Sequence, residues 1–320
     1  MKFVFKGLKQ FLEILHKIIK FALMTISQAF IDFKKELETI YDPQESAIIS
    51  DWVFENVTGL KKWERRNNQS ELSEIYADKL HNYLGELLQH KPVQYVLQEA
   101  WFYKRKFFVN EHVLIPRPET EELVEWIVQD KQSFAGSQKN IEILDIGTGS
   151  GCISISLKKE LPNSNVTAID VSEKALIVAK KNADELNAEI AFKQIDFLKD
   201  ENADYLLKYD IVISNPPYIP IAEKQILAKN VTDFEPGLAL FVANNDPYIF
   251  YEKIGKFATS HLAENGRIYV EVHEDYAENV KNIFQKFGFI STIKKDIYGK
   301  NRMVSAVKNV IDHHLQTQKL

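Results

Sequence analysis

The stretch from 209 to 220, YDIVISNPPYIP, constrains the fold more tightly than any other part of the chain. Its apolar run, Ile211 to Ile213, predicts a buried strand, and Asn215-Pro216-Pro217-Tyr218 stops it. Neither proline carries the backbone N–H that a central ladder requires. The strand therefore ends by presenting an amide, two rigid rings and an aromatic face. In an open α/β sheet, ligands bind off the carboxyl ends of the strands. Asn215 offers a side-chain carbonyl, Pro216 a main-chain carbonyl with little freedom to move, and Tyr218 a flat surface for stacking. Two acceptors aimed at one planar NH2 would hold it and direct its weak lone pair toward an electrophile. A proline-capped turn with a solvent-side tyrosine is the competing description, and the preceding segments discriminate between the two.

IEILDIGTGSGCISISL predicts a short strand, Ile141 to Leu144, that ends in Asp145 and turns through Gly147, Gly149 and Gly151 into a helix. The dinucleotide fingerprint needs glycine or alanine where Cys152 stands, and a P-loop needs a Gly-Lys-Ser/Thr ending that is absent. The loop therefore suits a ligand that lies against the backbone without a pyrophosphate. NVTAID, a second strand, ends in Asp170, placed to accept both hydroxyls of a ribose. EIAFKQIDF, a third, ends in Asp196-Phe197, a carboxylate for an exocyclic amine and a ring for a purine. Each acid alone could merely cap the helix that follows. Together they describe a nucleoside without phosphates, of which S-adenosylmethionine is the common cofactor example. GRIYVEVH, after a turn at Asn265-Gly266, is a fifth strand. GFISTIKKDI and RMVSAVK, joined through Tyr298 to Asn301, are a final antiparallel pair.

Before this half the pattern is helical, from Met24 to about Leu97. FIDFKKELETIY spaces its apolar residues at three and four, ESAIISDWVFENVTGL follows Pro43 and stops at Gly59, and SELSEIYADKLHNYLGELLQH opens at Ser70. Residues 98 to 116 predict a β-hairpin linker around the basic centre Lys104-Arg105-Lys106. IPRPETEELVEWIVQD then sets Arg117 between two prolines at the start of a helix with acids in its first turn. Arg117 either meets a cofactor or bridges to those glutamates. Residues 1 to 23 are apolar but studded with lysines, too interrupted for a spanning helix and lacking a signal-peptide cleavage site. They are expected to be an extension from an upstream start, with Met24 the natural first residue; an amphipathic helix on a membrane is the alternative.

Composition adds exclusions. A net charge of -5 argues against duplex DNA as the main partner. Cys152 is the only cysteine, which excludes an intrachain disulfide and a cysteine zinc cluster and makes a reduced, cytoplasmic setting the expectation. His313 and His314 fall in a polar tail, 311 to 320, and no metal is expected.

With DIGTGSG, Asp170, Asp196-Phe197 and NPPY in this order, residues 117 to 310 resemble a class I S-adenosylmethionine-dependent methyltransferase. That implies an α/β, Rossmann-like, mostly parallel sheet with a final antiparallel strand. NPPY-type motifs occur in that superfamily where the acceptor is a conjugated NH2 of adenine, cytosine or a glutamine amide. PVQYVLQEAWFYKRKFFVNEHVLIPRPETEELVEW, and FEPGLAL after NPPY, narrow the resemblance. From about residue 24 to about residue 308 the chain resembles the protein-(glutamine) methyltransferases that modify peptide chain release factors.

The resemblance implies that Gly147, Thr148, Gly149, Ser150 and Gly151 wrap the methionine part of S-adenosylmethionine. Asp170 would hold the ribose and Asp196-Phe197 the adenine, with Arg117 and Asn215 also at the cofactor. Asn215, Pro216, Pro217 and Tyr218 would bind the glutamine of a Gly-Gly-Gln loop, with Asn215, Pro216 and Tyr218 catalytic. S-adenosylhomocysteine would be the product, and the helical domain would help dock the release factor; no stable nucleic-acid binding is implied. The chain departs from the family's pattern at Gln98, where glycine is usual, and at Asn245-Asp246-Pro247; residues 1 to 23 have no counterpart. A glutamine methyltransferase of a ribosomal protein, an adenine methyltransferase of DNA or RNA, and a binding module retaining a cofactor pocket are the competing readings. The second would favour a basic groove, which the sequence lacks, and the intact NPPY weighs against the third.

Overall fold

The structure is a computed structural model that describes residues 24–130, 140–199 and 207–308. The expectations for residues 1 to 23 and for His313 and His314 lie outside the described residues. The chain divides into two compact units, Met1–Gln98 and Glu99–Leu320. No helix among the described residues is long and apolar enough to cross a membrane.

The first unit holds helices α1 (Ile26–Leu37), α2 (Pro43–Thr58), α3 (Lys62–Arg65), α4 (Glu74–Leu87) and α5 (Val93–Leu97). Local chemistry sets their ends. Asp42 accepts the N–H groups of Gln44 and Glu45 at 2.8 and 2.9 Å, Pro43 takes the first helical position, and Gly59 closes α2 in a left-handed conformation. The helix α4 starts later than the sequence suggested. Its cap is Ser73, which accepts from Tyr76 N. Ser70 is committed elsewhere: its N–H donates to Asn68 Oδ1 and its carbonyl accepts from Ile26 N. Leu72 N also donates to Met24 O, so the segment stays extended until residue 73. Apolar residues at helical spacing meet in one core, where the Phe33 and Phe54 rings pack edge to face at 5.5 Å. After α5, Gln98 adopts φ 55° and donates its N–H to Gln94 O.

The second unit is built on a seven-stranded sheet. Its strands are β3 (Ile141–Ile146), β4 (Ser164–Asp170), β5 (Ala191–Gln194), β6 (Tyr209–Ser214), β9 (Leu262–Glu271), β10 (Phe289–Lys295) and β11 (Asn301–Lys308). Their order is β10-β11-β9-β6-β3-β4-β5. The pairs from β9 to β5 are parallel, and β11 runs antiparallel to both of its neighbours. Alternating side chains feed two cores. Leu144, Ile146, Val212 and Val270 face helices α11 (Ile249–His261) and α12 (Ala277–Lys286). Ile143, Ile211, Ile213 and Tyr269 face α6 (Pro118–Gln129) and α7 (Cys152–Glu160). A further helix, α8 (Glu173–Glu185), returns the chain from β4 to β5, and between β6 and α11 stand the parallel pair β7 (Ile219–Pro220) and β8 (Phe241–Val242) with the short helices α9 (Lys229–Thr232) and α10 (Gly237–Leu240).

The expected turn at Asn265-Gly266 proves to lie inside β9, within a shift of register against β6. A Cβ at Gly266 would stand 2.9 Å from the carbonyl oxygen of Tyr209, so the bulge is compatible only with glycine's close approach. The hairpin of β1 (Ala100–Phe102) and β2 (Arg105–Phe107) belongs to this second unit, where Phe102 and Phe107 enter the core beside α6. Its basic centre is largely engaged: Arg105 donates to Glu160 at 2.7 Å and Lys106 to Glu99 at 3.5 Å.

A glutamine in the left-handed region at a helix end carries a Cβ penalty that glycine escapes. Gln98→Gly is therefore expected to raise stability by about 1 kcal/mol, read as a higher urea midpoint at unchanged slope.

Candidate active site

The chain runs from β3 outward to β4 and β5, then returns to the other side of β3 with β6. Such a reversal opens a crevice at the carboxyl ends of the two diverging strands. Register puts specific residues there. Ile146 is level with Ile169 on β4 and with Ser214 on β6, and Ser214 is level with Val270 on β9. One step on, Gly147, Asp170, Asn215 and Glu271 follow as the next row.

A cavity of about 290 Å³ occupies this crevice, and Gly147, Gly149, Asp170, Asp196, Phe197, Asn215 and Pro217 line it. Gly147 and Gly149 have φ of +73° and +55° and open space where a Cβ would stand, so bare backbone faces the cavity. Asp170 accepts from Gly149 N through Oδ2 and from Ser172 N through Oδ1, both at 2.9 Å. Val171 N–H bears on it as well, and a carboxylate's roughly four acceptor sites leave capacity for a ligand. Burial nevertheless pushes this carboxyl above its ordinary pKa. Asp196 caps the following turn through Leu198 N at 3.2 Å, and the Phe197 ring is fixed edge to face on Phe257 at 5.5 Å. The segment before α6 adds His112, Val113 and Leu114 to the wall, and the residues after Pro236 add Leu238 and Ala239.

The other residues singled out in the sequence lie outside the cavity lining. Thr148 turns inward and donates to Asp145 Oδ2 at 2.6 Å; burial pushes the Asp145 carboxyl up to about 6. Ser150 presents its carbonyl to Asn182 Nδ2 at 2.9 Å, and Gly151 lets the start of α7 approach Ala179 of α8. Pro216 is buried behind the turn. Tyr218 packs against the core and donates to Glu271 Oε1 at 3.4 Å. Arg117 meets neither the cavity nor the glutamates of its own helix: it donates through Nη2 to the buried Glu235 of FEPG. Glu235 also accepts from Ile115 N at 3.2 Å, so one carboxylate ties the two loops that supply the upper wall.

Residues that carry comparable weight escaped the motif reading. Asn215 donates through Nδ2 to Thr120 Oγ1 at 3.0 Å, and Thr120 donates to Glu271 Oε2 at 2.6 Å. Glu271 is 2% exposed, and burial pushes its carboxyl up to about 7. An isolated acid inside the apolar run of GRIYVEVH was the available signal for it. Asn182, in mid-helix, accepts from Phe108 N and donates to the carbonyls of Phe108 and Ser150, joining the hairpin to the glycine loop; a lone polar residue in an amphipathic helix gives no warning of this.

The profile of the methyltransferase small domain family matches residues 129–235. The release factor glutamine methyltransferase of Flavobacterium psychrophilum is 42% identical over 283 residues, 88% of this chain and 98% of that protein. The chain belongs to the release factor glutamine methyltransferase family. The Streptococcus pneumoniae relative of that name is 36% identical over 288 residues, again 88% of this chain and 98% of the relative. Among solved structures, a methyltransferase from Pyrococcus furiosus aligns at 17% identity with a TM-score of 0.47, covering 72% of this chain and 99% of that one.

In this member of the release factor glutamine methyltransferase family, the Arg117–Glu235 pair generates a test of how the cavity wall is held. Arg117→Met would strand a buried carboxylate. It is expected to lower stability by about 3 kcal/mol, the lower end for a broken buried pair because Arg117 is 34% exposed, and addition of Glu235→Gln to recover most of that loss in urea unfolding.

Proposed function

We propose that this chain transfers the methyl group of S-adenosylmethionine to the side-chain amide nitrogen of the glutamine in the Gly-Gly-Gln loop of peptide chain release factors. One observation carries the reading: Asn215 and Pro217 line the same cavity as Gly147, Gly149, Asp170, Asp196 and Phe197. An acceptor at the NPPY turn and a nucleoside at the ends of β4 and β5 would then share one enclosure. The names of the relatives point to the same substrate.

The residues fit the cofactor. The remaining acceptor capacity of Asp170 suits ribose hydroxyls, the wall at Asp196-Phe197 suits an adenine, and the bare backbone of Gly147 and Gly149 suits close approach by the amino-acid part. When bound, the cofactor supplies a methyl group on a sulfonium. The protein's part is to hold and orient the acceptor. An amide nitrogen is a poor nucleophile because its lone pair is delocalised, so positioning and electrostatics supply most of the acceleration. On this reading Asn215 Oδ1, in the lining, accepts one amide hydrogen and the main-chain carbonyl of Pro216, whose ring is buried, accepts the other, stabilising positive charge as it develops on nitrogen. Two glycines before the target let a substrate loop enter a narrow cleft without side-chain clashes. The helical unit offers further docking surface, with Trp63 76% and Ile75 78% exposed.

The deciding experiment is mass spectrometry of a release factor incubated with enzyme and cofactor. A gain of one methyl, mapped to the Gly-Gly-Gln glutamine and abolished by Gln→Ala in the substrate, is expected. Label on adenine, or on a ribosomal protein with the release factor untouched, overturns the reading. A Gly-Gly-Gln peptide should react far more slowly than the folded protein, because it forfeits remote binding energy. Asn215→Ala should cost about two to three orders of magnitude in turnover with little change in melting temperature. Asp170→Ala should weaken cofactor binding in calorimetry by about 1.5–3 kcal/mol per hydrogen bond lost.

A further inference from the structure

Asn215 is useful as an acceptor only if its amide is turned the right way. An Asn side chain presents either a carbonyl or an NH2 toward the cavity, and its shape does not choose between them. The choice is made by what stands behind it. Thr120, in the first turn of α6, lies 3.0 Å from Asn215 Nδ2 and 2.6 Å from Glu271 Oε2. A hydroxyl has one hydrogen. An ionised Glu271 can only accept, so the Thr120 hydrogen is committed to it. The Thr120 oxygen is then left as an acceptor, and only the NH2 of Asn215 can satisfy it. The carbonyl oxygen of Asn215 must therefore turn the other way.

The geometry points to Thr120 and Glu271 as positioning residues for methyl transfer: their relay fixes the Asn215 amide so that its oxygen faces the acceptor amine. This rests on the proposed reading of Asn215 as the holder of a substrate NH2. The second oxygen of Glu271 accepts from Tyr218 at 3.4 Å, and its main-chain carbonyl accepts from Tyr251 at 3.0 Å, so one further element reaches the carboxylate and another holds the backbone beneath it. The relay has a polarity that one proton reverses. A protonated Glu271 would donate to Thr120, whose hydrogen would swing to Asn215 and draw the amide oxygen inward. An NH2 would then confront the NH2 of the substrate.

The groups bearing on Glu271 are Glu119 and Thr120 from α6, Tyr218 from the NPPY turn, Tyr251 from α11 and Arg302 from β11. Burial dominates and pushes its carboxyl up to about 7, with Arg302 and the bond from Thr120 opposing the rise. Because the ionised form sets the productive polarity, activity is expected to fall as pH drops through about 7.

The test combines kinetics with the side-chain amide signal of Asn215 in nitrogen-edited NMR of the full chain. Thr120→Val, which keeps shape and loses the hydroxyl, is expected to cut kcat about 10- to 100-fold with calorimetric cofactor affinity unchanged. Thr120→Ser is expected to restore most of it. In the unsubstituted protein, kcat and the Asn215 amide shift should titrate together with a midpoint near 7, and Glu271→Gln should abolish both titrations. An Asn215 signal indifferent to Thr120→Val and to Glu271→Gln overturns the inference, as does a Thr120→Val variant with unchanged kcat. If the Asn215 signal responds as expected while no release factor is methylated, the relay stands and the substrate assignment falls.

Discussion

Parallel hydrogen bonding fixes which residues stand abreast, and here it sets Gly147, Asp170, Asn215 and Glu271 in one transverse row where β3, β4, β6 and β9 end. Nothing in the cavity can be moved independently of that register. A slip of one residue in β6 would turn Asn215 to the opposite face and bury its amide in the apolar core. The row is also closed behind. Ser214 Oγ donates to Ile146 O at 2.7 Å, and Ile169 O accepts from both Gly147 N and Thr148 N. Carbonyls that a strand end would leave unpaired are satisfied before the ligand site begins. The polar groups that remain free there are the ones available for binding.

The loops above the row are held by buried charge. Glu235 draws in Arg117 and the N–H of Ile115, which lie 118 and 120 residues away in the chain. That single carboxylate brings the segment before α6 against the segment after NPPY, and both contribute to the cavity wall. Asn182 does the same on the other side, bonding Phe108 and Ser150 at 2.7 to 2.9 Å. Polar groups buried in this way add little net stability but penalise any arrangement that leaves them unpaired. They specify loop positions that apolar packing alone would leave degenerate.

Much of this was legible in the sequence. Strand ends announced themselves through Asp170, Asp196 and Asn215-Pro216-Pro217, because acids and prolines at the end of an apolar run have few other uses, but Asp145 lies inside β3, which pairs on to Ile146. What the sequence could not convey was pairing through space. Thr120 and Glu271 are separated by 151 residues. Arg117 looked like a cofactor ligand or a partner of its neighbouring glutamates because Glu235 could not be seen to reach it. The start of α4 was misread for a similar reason: the bonds from Ile26 N and Leu72 N to distant carbonyl partners hold the chain extended past Ser70. Local preference named a plausible cap, and a tertiary bridge moved it three residues on.

The electrostatic character of the crevice follows from which groups neutralise its acids. Asp145 and Asp170 are stabilised by N–H and O–H donors, whereas Glu235 pairs with Arg117, Asp196 with Lys199 at 3.2 Å, and Glu271 feels Arg302 besides its bond from Thr120. Hydrogen bonds to an ionised carboxylate leave its net charge in place, so Asp170, the lining acid held by N–H donors alone, presents negative charge to the cavity when ionised, although burial raises its pKa. On the proposed reading this favours a cationic ligand over a neutral one of the same shape. Methyl transfer would remove the sulfonium charge, and the attraction of Asp170 would fall with it. An acid proposed to hold the cofactor before reaction would thus hold its product less well afterwards. On the proposed reading that difference would need no movement of the protein, only the charge of an Asp170 whose partners are N–H donors.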